Sequence, residues 1–597
     1  ERSLQKNTTA DNNVAVGFAA LSENTTGIRN TAVGTSALQT ITTANDSTAV
    51  GFEALKLATG TGNTAVGRDS GKSITSGSQN TVIGTAALDA LSTGARNTAV
   101  GGAALSTATT SSDNTALGYN TLLLTTTGTR NAAVGTYALD ANTTANDNTA
   151  IGFESLTSNT TGNQNTGAGS KTLGNNETGS NNAALGFFAL NANTTGSNNT
   201  AVGKSALDAN TTASNNTAVG QAALGANTTG TNNVAIGSLA LDANTTNSNS
   251  VAIGYRSLTN QTVADQNTAV GADSMFTNTT GEYNVATGFM ALYSNTTADN
   301  NTAVGYQALL NNTTGIANIA VGANALDANT QGGNNSALGR DALGSNTEGN
   351  HNTAVGKDAL RDNTTASNNT AVGHDALQAN TVGFENTAVG SEALKTITTA
   401  DYNTGIGYQA LALNTSGNKN GAFGHQALYA NTTGSNNTAV GKGALVNNTT
   451  ASNNTAVGLE ALKVNTTGAN NVAVGGNALD ANTTADFNTA VGYRCLSANT
   501  TGTPNTAIGG DAMRENTTGG NNVAVGSGSL LSNTTGSSNT GLGRSALQSN
   551  TTASNNTAVG YDSLKVNTTG HTNTAVGANT LDANTTAHSC TAIGANA

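Results

Sequence analysis

The sequence has no tryptophan, one proline and two cysteines in 597 residues, and only 9% of its residues are charged. Two cysteines, Cys495 and Cys590, are too few for a disulfide framework. No apolar run approaches the roughly 20 residues that cross a bilayer. A net charge of −12 excludes a basic face that binds nucleic acid. Because bulky side chains are also scarce, burial must come from stacking like residues on like residues.

What the sequence has instead is a strict repeat of Gly, Asn, Thr and Ala. A glycine that ends an NTAVG-like run recurs 35 times, from Gly17 to Gly594, at intervals of 17 residues. The single exception is the step from Gly51 to Gly67, which is 16 residues long because one residue is missing near Thr59. A disordered linker has no reason to keep one register, so this period predicts a repeat architecture.

We number each repeat from that glycine as position 0. The repeat that begins at Gly203 reads G-K-S-A-L-D-A-N-T-T-A-S-N-N-T-A-V. Position 3 is usually Ala or Ser, position 4 is Leu, positions 7 to 9 are Asn-Thr-Thr, and positions 13 to 16 are Asn-Thr-Ala-Val. The other positions vary and carry nearly all the charge.

This unit predicts short strands joined by tight turns. Thr-Ala-Val alternates faces with period two, and the following Gly permits a turn. We expect Ala-Leu to begin a second short strand and Asn-Thr-Thr-Gly to form a second turn. Seventeen residues are too few for a helical-hairpin repeat. The predicted fold is all-β, a parallel β-solenoid of about 35 coils of 17 residues, continuous over residues 1–597.

The two faces of the strand differ in size. We expect the Val and Leu rows to fill the coil interior, with Asn side chains stacked inside as ladders. The Ala row then faces outward and invites close approach by another chain, most simply in a trimer of side-by-side chains. The alternative is that Ala fits a narrow interior.

Two runs show the strand motif well, Asn233 to Gly237 (NVAIG) and Asn471 to Gly475 (NVAVG). Such runs resemble the head repeats of trimeric autotransporter adhesins and the related repeats of bacteriophage tail fibres. The resemblance implies a left-handed parallel β-roll, three chains side by side, and a rod that binds host matrix or cell surfaces. It also implies a location outside the cell, at the cell surface or on a virion tail. The family's head unit is shorter, and Asn-Thr-Thr-Gly is an addition in this chain.

The chain starts at position 1 of a repeat and stops at position 3, without a cap at either end. Open solenoid ends expose strand edges. We therefore expect either a segment of a longer protein or subunits that stack end to end. The second case gives the alternative function, a self-assembling extracellular filament without ligand binding.

Position 1 is enriched in aromatic residues. A row of exposed rings predicts stacking on glycans, whereas the structural alternative is packing at a seam between chains. The row consists of Phe18, Phe52, Tyr119, Phe153, Phe187, Tyr255, Phe289, Tyr306, Tyr408, Tyr493 and Tyr561.

Asn-Thr-Thr is also an N-glycosylation sequon, as at Asn24, Asn210 and Asn567. The alternative is a turn with stacked Asn and Thr, since glycans on every coil would crowd at a spacing of about 4.8 Å. Regular Thr rows also suggest an ice-binding solenoid, a less favoured interpretation because variable charges lie between those rows.

Nothing in the sequence predicts catalysis, a metal site or a cofactor. The five histidines (His351, His374, His425, His571 and His588) occupy variable positions without metal-ligand spacing. Carboxylates such as Asp208, Asp242 and Asp480 at position 5 are explained by solvation, with a calcium ladder as the alternative. Cys495 stands at the position 3 Ala site and is predicted to be a small buried residue.

Overall fold

A computed structural model describes residues 1–597. The chain is all-β and contains no helix. It forms two compact units, Glu1–Asp299 and Asn300–Ala597. Each unit is a parallel β-solenoid in which every repeat contributes one short strand.

The strands have these bounds. In the first unit they are β1 (Val14–Val16), β2 (Thr31–Val33), β3 (Thr48–Val50), β4 (Thr64–Val66), β5 (Thr81–Ile83), β6 (Thr98–Val100), β7 (Thr115–Leu117), β8 (Ala132–Val134), β9 (Thr149–Ile151), β10 (Thr166–Ala168), β11 (Ala183–Leu185), β12 (Thr200–Val202), β13 (Thr217–Val219), β14 (Val234–Ile236), β15 (Val251–Ile253), β16 (Thr268–Val270) and β17 (Val285–Thr287). In the second unit they are β18 (Thr302–Val304), β19 (Ile319–Val321), β20 (Ser336–Leu338), β21 (Thr353–Val355), β22 (Thr370–Val372), β23 (Thr387–Val389), β24 (Thr404–Ile406), β25 (Gly421–Phe423), β26 (Thr438–Val440), β27 (Thr455–Val457), β28 (Val472–Val474), β29 (Thr489–Val491), β30 (Asn505–Ile508), β31 (Asn522–Val525), β32 (Thr540–Leu542), β33 (Thr557–Val559), β34 (Thr574–Val576) and β35 (Thr591–Ile593).

Within each unit, consecutive strands pair in parallel and in register. Thr200 lies beside Thr217, and Val202 lies beside Val219. The 16-residue step joins β3 to β4, where Thr48 pairs with Thr64. The register therefore survives the deletion near Thr59, in a turn where the Thr59 and Gly60 N–H groups both donate to the Thr75 carbonyl. The parallel β-solenoid prediction is confirmed.

The prediction of which strand face points inward is wrong. The central Ala of the strand, such as Ala218, is fully buried, whereas the flanking Thr217 and Val219 face outward. Leu207 at position 4 is buried, as expected. The coil interior is narrow: at Gly405, which replaces the central Ala, an added Cβ would lie only 3.2 Å from Cγ of Leu394. Accordingly, the strand centre is Ala or Gly in every coil except the one with Val82.

One coil has a smaller residue than usual at position 4 and larger residues at the neighbouring inward positions. Gly71 takes the position 4 site where Leu normally stands. In this coil the strand centre is Val82 and position 7 is Ile74, and both side chains are fully buried. An added Cβ at Gly71 would lie 3.0 Å from Cδ1 of Ile74. Larger side chains on the neighbouring inward rows thus fill the volume that the missing Leu leaves.

The expected second strand is also absent, because positions 1 to 4 form turns with left-handed backbone. Ser205 and Leu207 have φ of 55° and 52°, and Gly203 has φ of 134°. The Leu207 N–H still donates to the Ala223 carbonyl of the next coil, at 3.0 Å. An added Cβ at Gly203 would lie 2.5 Å from the Gly220 oxygen. Position 0 is therefore restricted to glycine by both its φ and the close approach of the next coil.

The inward Asn ladders are present at positions 7 and 13. At position 7, the Asn210 amide donates to Oδ1 of Asn193 in the preceding coil, at 2.9 Å. At position 13, the Asn216 backbone N–H donates to Oδ1 of Asn199, at 3.0 Å. All four side chains are fully buried. These bonds satisfy buried polar groups that the turns would otherwise leave unpaired.

Candidate functional site

The first candidate surface is the outward side of the β-sheet, made by the first and third residues of every strand. We call it the sheet face. The first residue is Thr in most strands and the third is usually Val, Ile or Leu. No strand contains a charged residue. Third residues range from half-buried, as at Val202 and Val219, to exposed, as at Ile151 with 48% and Leu185 with 54% in the single chain.

The sheet face is the feature that the sequence prediction missed, because Val was assigned to the interior. Alternation with period two separates the Ala from the Val row but does not say which one points inward. A signal was available in the repeat that contains Gly71. There, loss of the inward Leu coincides with enlargement of the strand centre to Val82, which places the centre and the Leu on the same side.

The second candidate surface is the aromatic row at position 1. In each unit its rings are exposed by 43–60% in the single chain. These rings are Phe18, Phe52, Tyr119, Phe153, Phe187, Tyr255 and Phe289 in the first unit, and Tyr306, Tyr408, Tyr493 and Tyr561 in the second. The row therefore lies on the surface, open to a ligand or to another chain.

Some of these rings are held by contacts within the chain. The Arg256 guanidinium lies 5.0 Å from the centre of the Tyr255 ring and 4.8 Å from that of Phe276. Asp273 accepts an ion pair from Arg256 at 2.8 Å. Phe276 in turn stacks on Tyr293, with centroids 5.3 Å apart. Such cation–π and stacking contacts order the rings along neighbouring coils.

The three sequon residues lie inside the coil. Asn24, Asn210 and Asn567 are fully buried. Each side-chain amide donates to the carbonyl of the residue three positions later, at 2.8–3.1 Å. A glycan on that nitrogen is incompatible with the folded coil, so the predicted glycosylation sites are corrected to ladder residues.

The position 5 carboxylates are half-buried on the coil surface. Burial raises the pKa of Asp208, Asp242 and Asp480 above the usual range of Asp. The one group of three clustered side chains with metal-ligating atoms is elsewhere, at Asp358, His374 and Asp375. Lys357 lies 2.8 Å from Asp358, and Lys395 lies 3.0 Å from Asp375. These ion pairs compensate the two carboxylates.

The two cysteines differ in environment. Cys495 is fully buried, as predicted, and burial raises the pKa of its thiol to about 12. Its sulfur lies 3.2 Å from the Ala507 carbonyl oxygen. Cys590 is partly exposed. Only the second cysteine is placed to react while the coil is folded.

Comparison with protein-family models finds no match, and comparison with curated protein sequences finds none either. No helix in the structure has the length and apolarity needed to cross a membrane.

Proposed function

We propose that the chain is the shaft of an extracellular fibre in which copies pack side by side through their sheet faces, most simply as a trimer, and that the fibre has an adhesive role. The observation that carries this proposal is the uncharged, largely apolar sheet face, repeated on every coil.

The area and continuity of the sheet face support association. Within the first unit, 17 adjacent strands present Val, Ile or Leu in an almost unbroken row. Soluble monomers rarely expose apolar patches larger than a few hundred Å². Covering this row removes apolar surface from water, which is favourable at about 25 cal/mol per Å².

The absence of charge supports a copy of the chain as the partner. When identical faces meet around an axis, each residue approaches its own counterpart, so a single charged side chain would meet a like charge. The sheet face has none, whereas the other outward positions carry almost all the charged residues. We therefore place the contact between chains at the Val row and not at the Ala row, which is buried.

The even distribution of contacts supports a mechanical role. Within each unit consecutive strands pair in register, and Asn recurs at position 13 in almost every coil, with Ser47, Ser250 and Cys590 as the exceptions. The stability of such an array is a sum of similar contacts between neighbouring coils. Each coil is therefore held by its two neighbours and not by a core formed from distant parts of the chain. The location outside the cell and the adhesive role are proposed from the resemblance to adhesin and tail-fibre repeats and from the exposed aromatic row.

A second candidate, ice binding, is favoured by one observation. Thr217 and Val219 lie side by side on the outward face of one strand, next to Thr200 and Val202 of the preceding coil and next to Val234 and Ile236 of the following coil. The charges that weigh against the other Thr rows do not interrupt this face. A regular, uncharged array of hydroxyl and methyl groups is a surface that could order water.

The two candidates are separated by the mass of the protein in solution together with its effect on ice. Light scattering of the purified 58.8 kDa chain is expected to give a multiple of that mass, three for a trimer, and freezing-point measurements are expected to show no thermal hysteresis. A stable monomer that depresses the freezing point would contradict the fibre proposal and support ice binding.

A further inference from the structure

The aromatic rings of the first unit follow a period of two coils. Position 1 is aromatic after β1, β3, β7, β9, β11, β15 and β17, always an odd-numbered strand. The rings after β7, β9 and β11 are Tyr119, Phe153 and Phe187. Stacked strands lie about 4.8 Å apart, so these rings recur about every 9.6 Å. The coils between them carry the small residues Thr136 and Ser170.

Two further rings contact the rings of this series but leave them exposed to solvent. Tyr137 lies edge-on between Tyr119 and Phe153, with centroid distances of 6.0 and 6.5 Å and interplanar angles of 85° and 80°. Phe188 lies edge-on to Phe187, with centroids 4.2 Å apart. Tyr119, Phe153 and Phe187 nevertheless remain 46–54% exposed. We call these five residues the aromatic patch.

Hydrogen-bonding groups border the patch. A shallow pocket of about 250 Å³ beside Phe188 is lined by Glu154, Lys171, Asn175 and Asn191. Gly174 forms part of the pocket, and an added Cβ there would lie 2.6 Å from Oδ1 of Asn191.

The rim of the pocket has no net charge. Lys171 and Glu154 form an ion pair at 3.5 Å, and the Lys171 ammonium lies 5.7 Å from the centre of the Phe188 ring. The rim therefore places hydrogen-bond donors and hydrogen-bond acceptors next to the aromatic rings, without excess charge of either sign.

This combination fits a polyhydroxylated, uncharged ligand. The C–H face of a pyranose stacks on an aromatic ring, while its hydroxyl groups bond to carboxylate and amide groups at the rim. In an extended β-1,4-linked glycan, alternate sugars turn over, so the same face recurs once per disaccharide. The length of that disaccharide is close to two strand spacings, about 9.6 Å.

We propose that the aromatic patch binds an extended β-1,4-linked polysaccharide laid along the stack of coils, with Tyr119, Phe153 and Phe187 each stacking on every second sugar. The inference deepens the proposed adhesive role and rests on it. It does not depend on how many chains form the fibre.

The test is binding of the full chain to microcrystalline cellulose and to chitin, with affinity electrophoresis in hydroxyethylcellulose for solution affinity. Dextran, whose α-1,6 linkages do not give an extended two-fold chain, is the comparison polymer. The wild-type chain is expected to bind at least one β-1,4-linked probe and not dextran. Phe153→Ala with Phe187→Ala is expected to weaken binding about tenfold per ring. Tyr283→Ala with Phe487→Ala, which removes two exposed rings that lie outside the position 1 row, is the matched control and is expected to leave affinity unchanged.

A second variant tests the spacing itself. Phe153→Ser with Ser170→Phe keeps the number of rings but breaks the two-coil period, and is expected to lose as much affinity as removal of Phe153. Light scattering of each variant separates this proposal from the fibre proposal, because the patch variants should keep the wild-type mass. Absence of binding to every β-1,4-linked probe, equal loss in the control variant, or full affinity in the shifted variant would overturn the proposal, whatever the mass.

Discussion

The side-chain amide of Asn199 donates a hydrogen bond of 2.9 Å to the carbonyl oxygen of Ala213 in the next coil. Its Oδ1 accepts the backbone N–H of Asn216, at 3.0 Å. One buried side chain thus satisfies both a donor and an acceptor of the following coil. Repetition of this bond links position 13 to the next turn along both units.

Substitution of this ladder residue is expected to destabilise the coil locally. Asn199→Ala leaves the buried Asn216 N–H without its acceptor, at a cost of about 1–3 kcal/mol, while the Ala213 carbonyl keeps the hydrogen bond from Asn210. Hydrogen exchange of peptides around residues 190–225 measures the loss of protection. Thr212→Ala, at an exposed position of the turn, is the control. Equal exchange in both variants would contradict the structural role of the ladder.

The glycine at position 0 is expected to tolerate no side chain. Gly203→Ala places a Cβ 2.5 Å from the Gly220 oxygen at φ of 134°, and the backbone strain alone costs about 1–3 kcal/mol. Gly510→Ala is the matched control, because no atom lies within 4 Å of its added Cβ. Limited proteolysis should cut near residue 203 in the first variant only. Resistance equal to the wild type would show that the coil adapts.

Packing of sheet faces predicts a specific cross-link. Val219→Cys, in a chain that also carries Cys495→Ala and Cys590→Asn, brings identical cysteines together when sheet faces surround a common axis. Mild oxidation is then expected to give disulfide-linked chains on a non-reducing gel. Thr212→Cys in the same background is exposed on the turn and is expected to stay monomeric on the gel. A linked product from Thr212→Cys alone would place the seam elsewhere.

Two aspartates are expected to respond to pH in opposite directions. Burial raises the pKa of Asp208, so the folded coil holds its proton more tightly than the unfolded chain does. This group therefore lowers stability as pH rises through that pKa. A hydrogen bond from Arg29 lowers the pKa of Asp46, so its contribution is present above the unfolded pKa and is lost as pH falls.

Local hydrogen exchange, compared with the wild type at each pH, checks both signs. Asp208→Asn is expected to increase protection at pH 7, with the difference vanishing in acid. Asp46→Asn is expected to decrease protection slightly at pH 7, because the pair with Arg29 is exposed. The reverse order at pH 7 would contradict the assigned causes.

The two cysteines are expected to differ in reactivity. The buried Cys495 thiol, with a pKa of about 12, has almost no thiolate at pH 8. A thiol reagent should therefore label Cys590 in the folded chain and Cys495 only after denaturation. Cys495→Ala should leave stability nearly unchanged, since Ala occupies position 3 in most repeats. Fast labelling of Cys495 under native conditions would contradict its burial.

The sequence predicted most of the fold but not the orientation of its strand. The spacing from Gly17 to Gly594 gave the parallel solenoid and its register, and Asn pairs gave the inward ladders. Thr-Ala-Val alternates in the same way whichever face is buried, so the choice between Ala and Val depends on the width of the coil. That width follows from the left-handed turns at residues such as Ser205 and Leu207, which ordinary preferences for φ do not predict.

The aromatic row was located from sequence, while its neighbours were not. Counting repeats places Phe153 and Phe187 on one row. The edge-on support from Tyr137 and Phe188, and the pocket with Glu154 and Lys171, depend on how adjacent coils bring positions 1, 2 and 5 together. For Asn210 the sequence suggested the wrong environment. The local Asn-Thr-Thr motif gives no information about which side of the coil the Asn side chain faces, and the structure buries it.

Electron cryo-microscopy of the native fibre in cross-section distinguishes side-by-side chains from a single chain. We expect three chains around one axis, with strand residues such as Thr217 and Val219 at the contact between chains and Ala218 inside each coil. A single chain in cross-section, with a solvent-exposed sheet face and coils that continue across end-to-end subunit junctions, would contradict the side-by-side fibre.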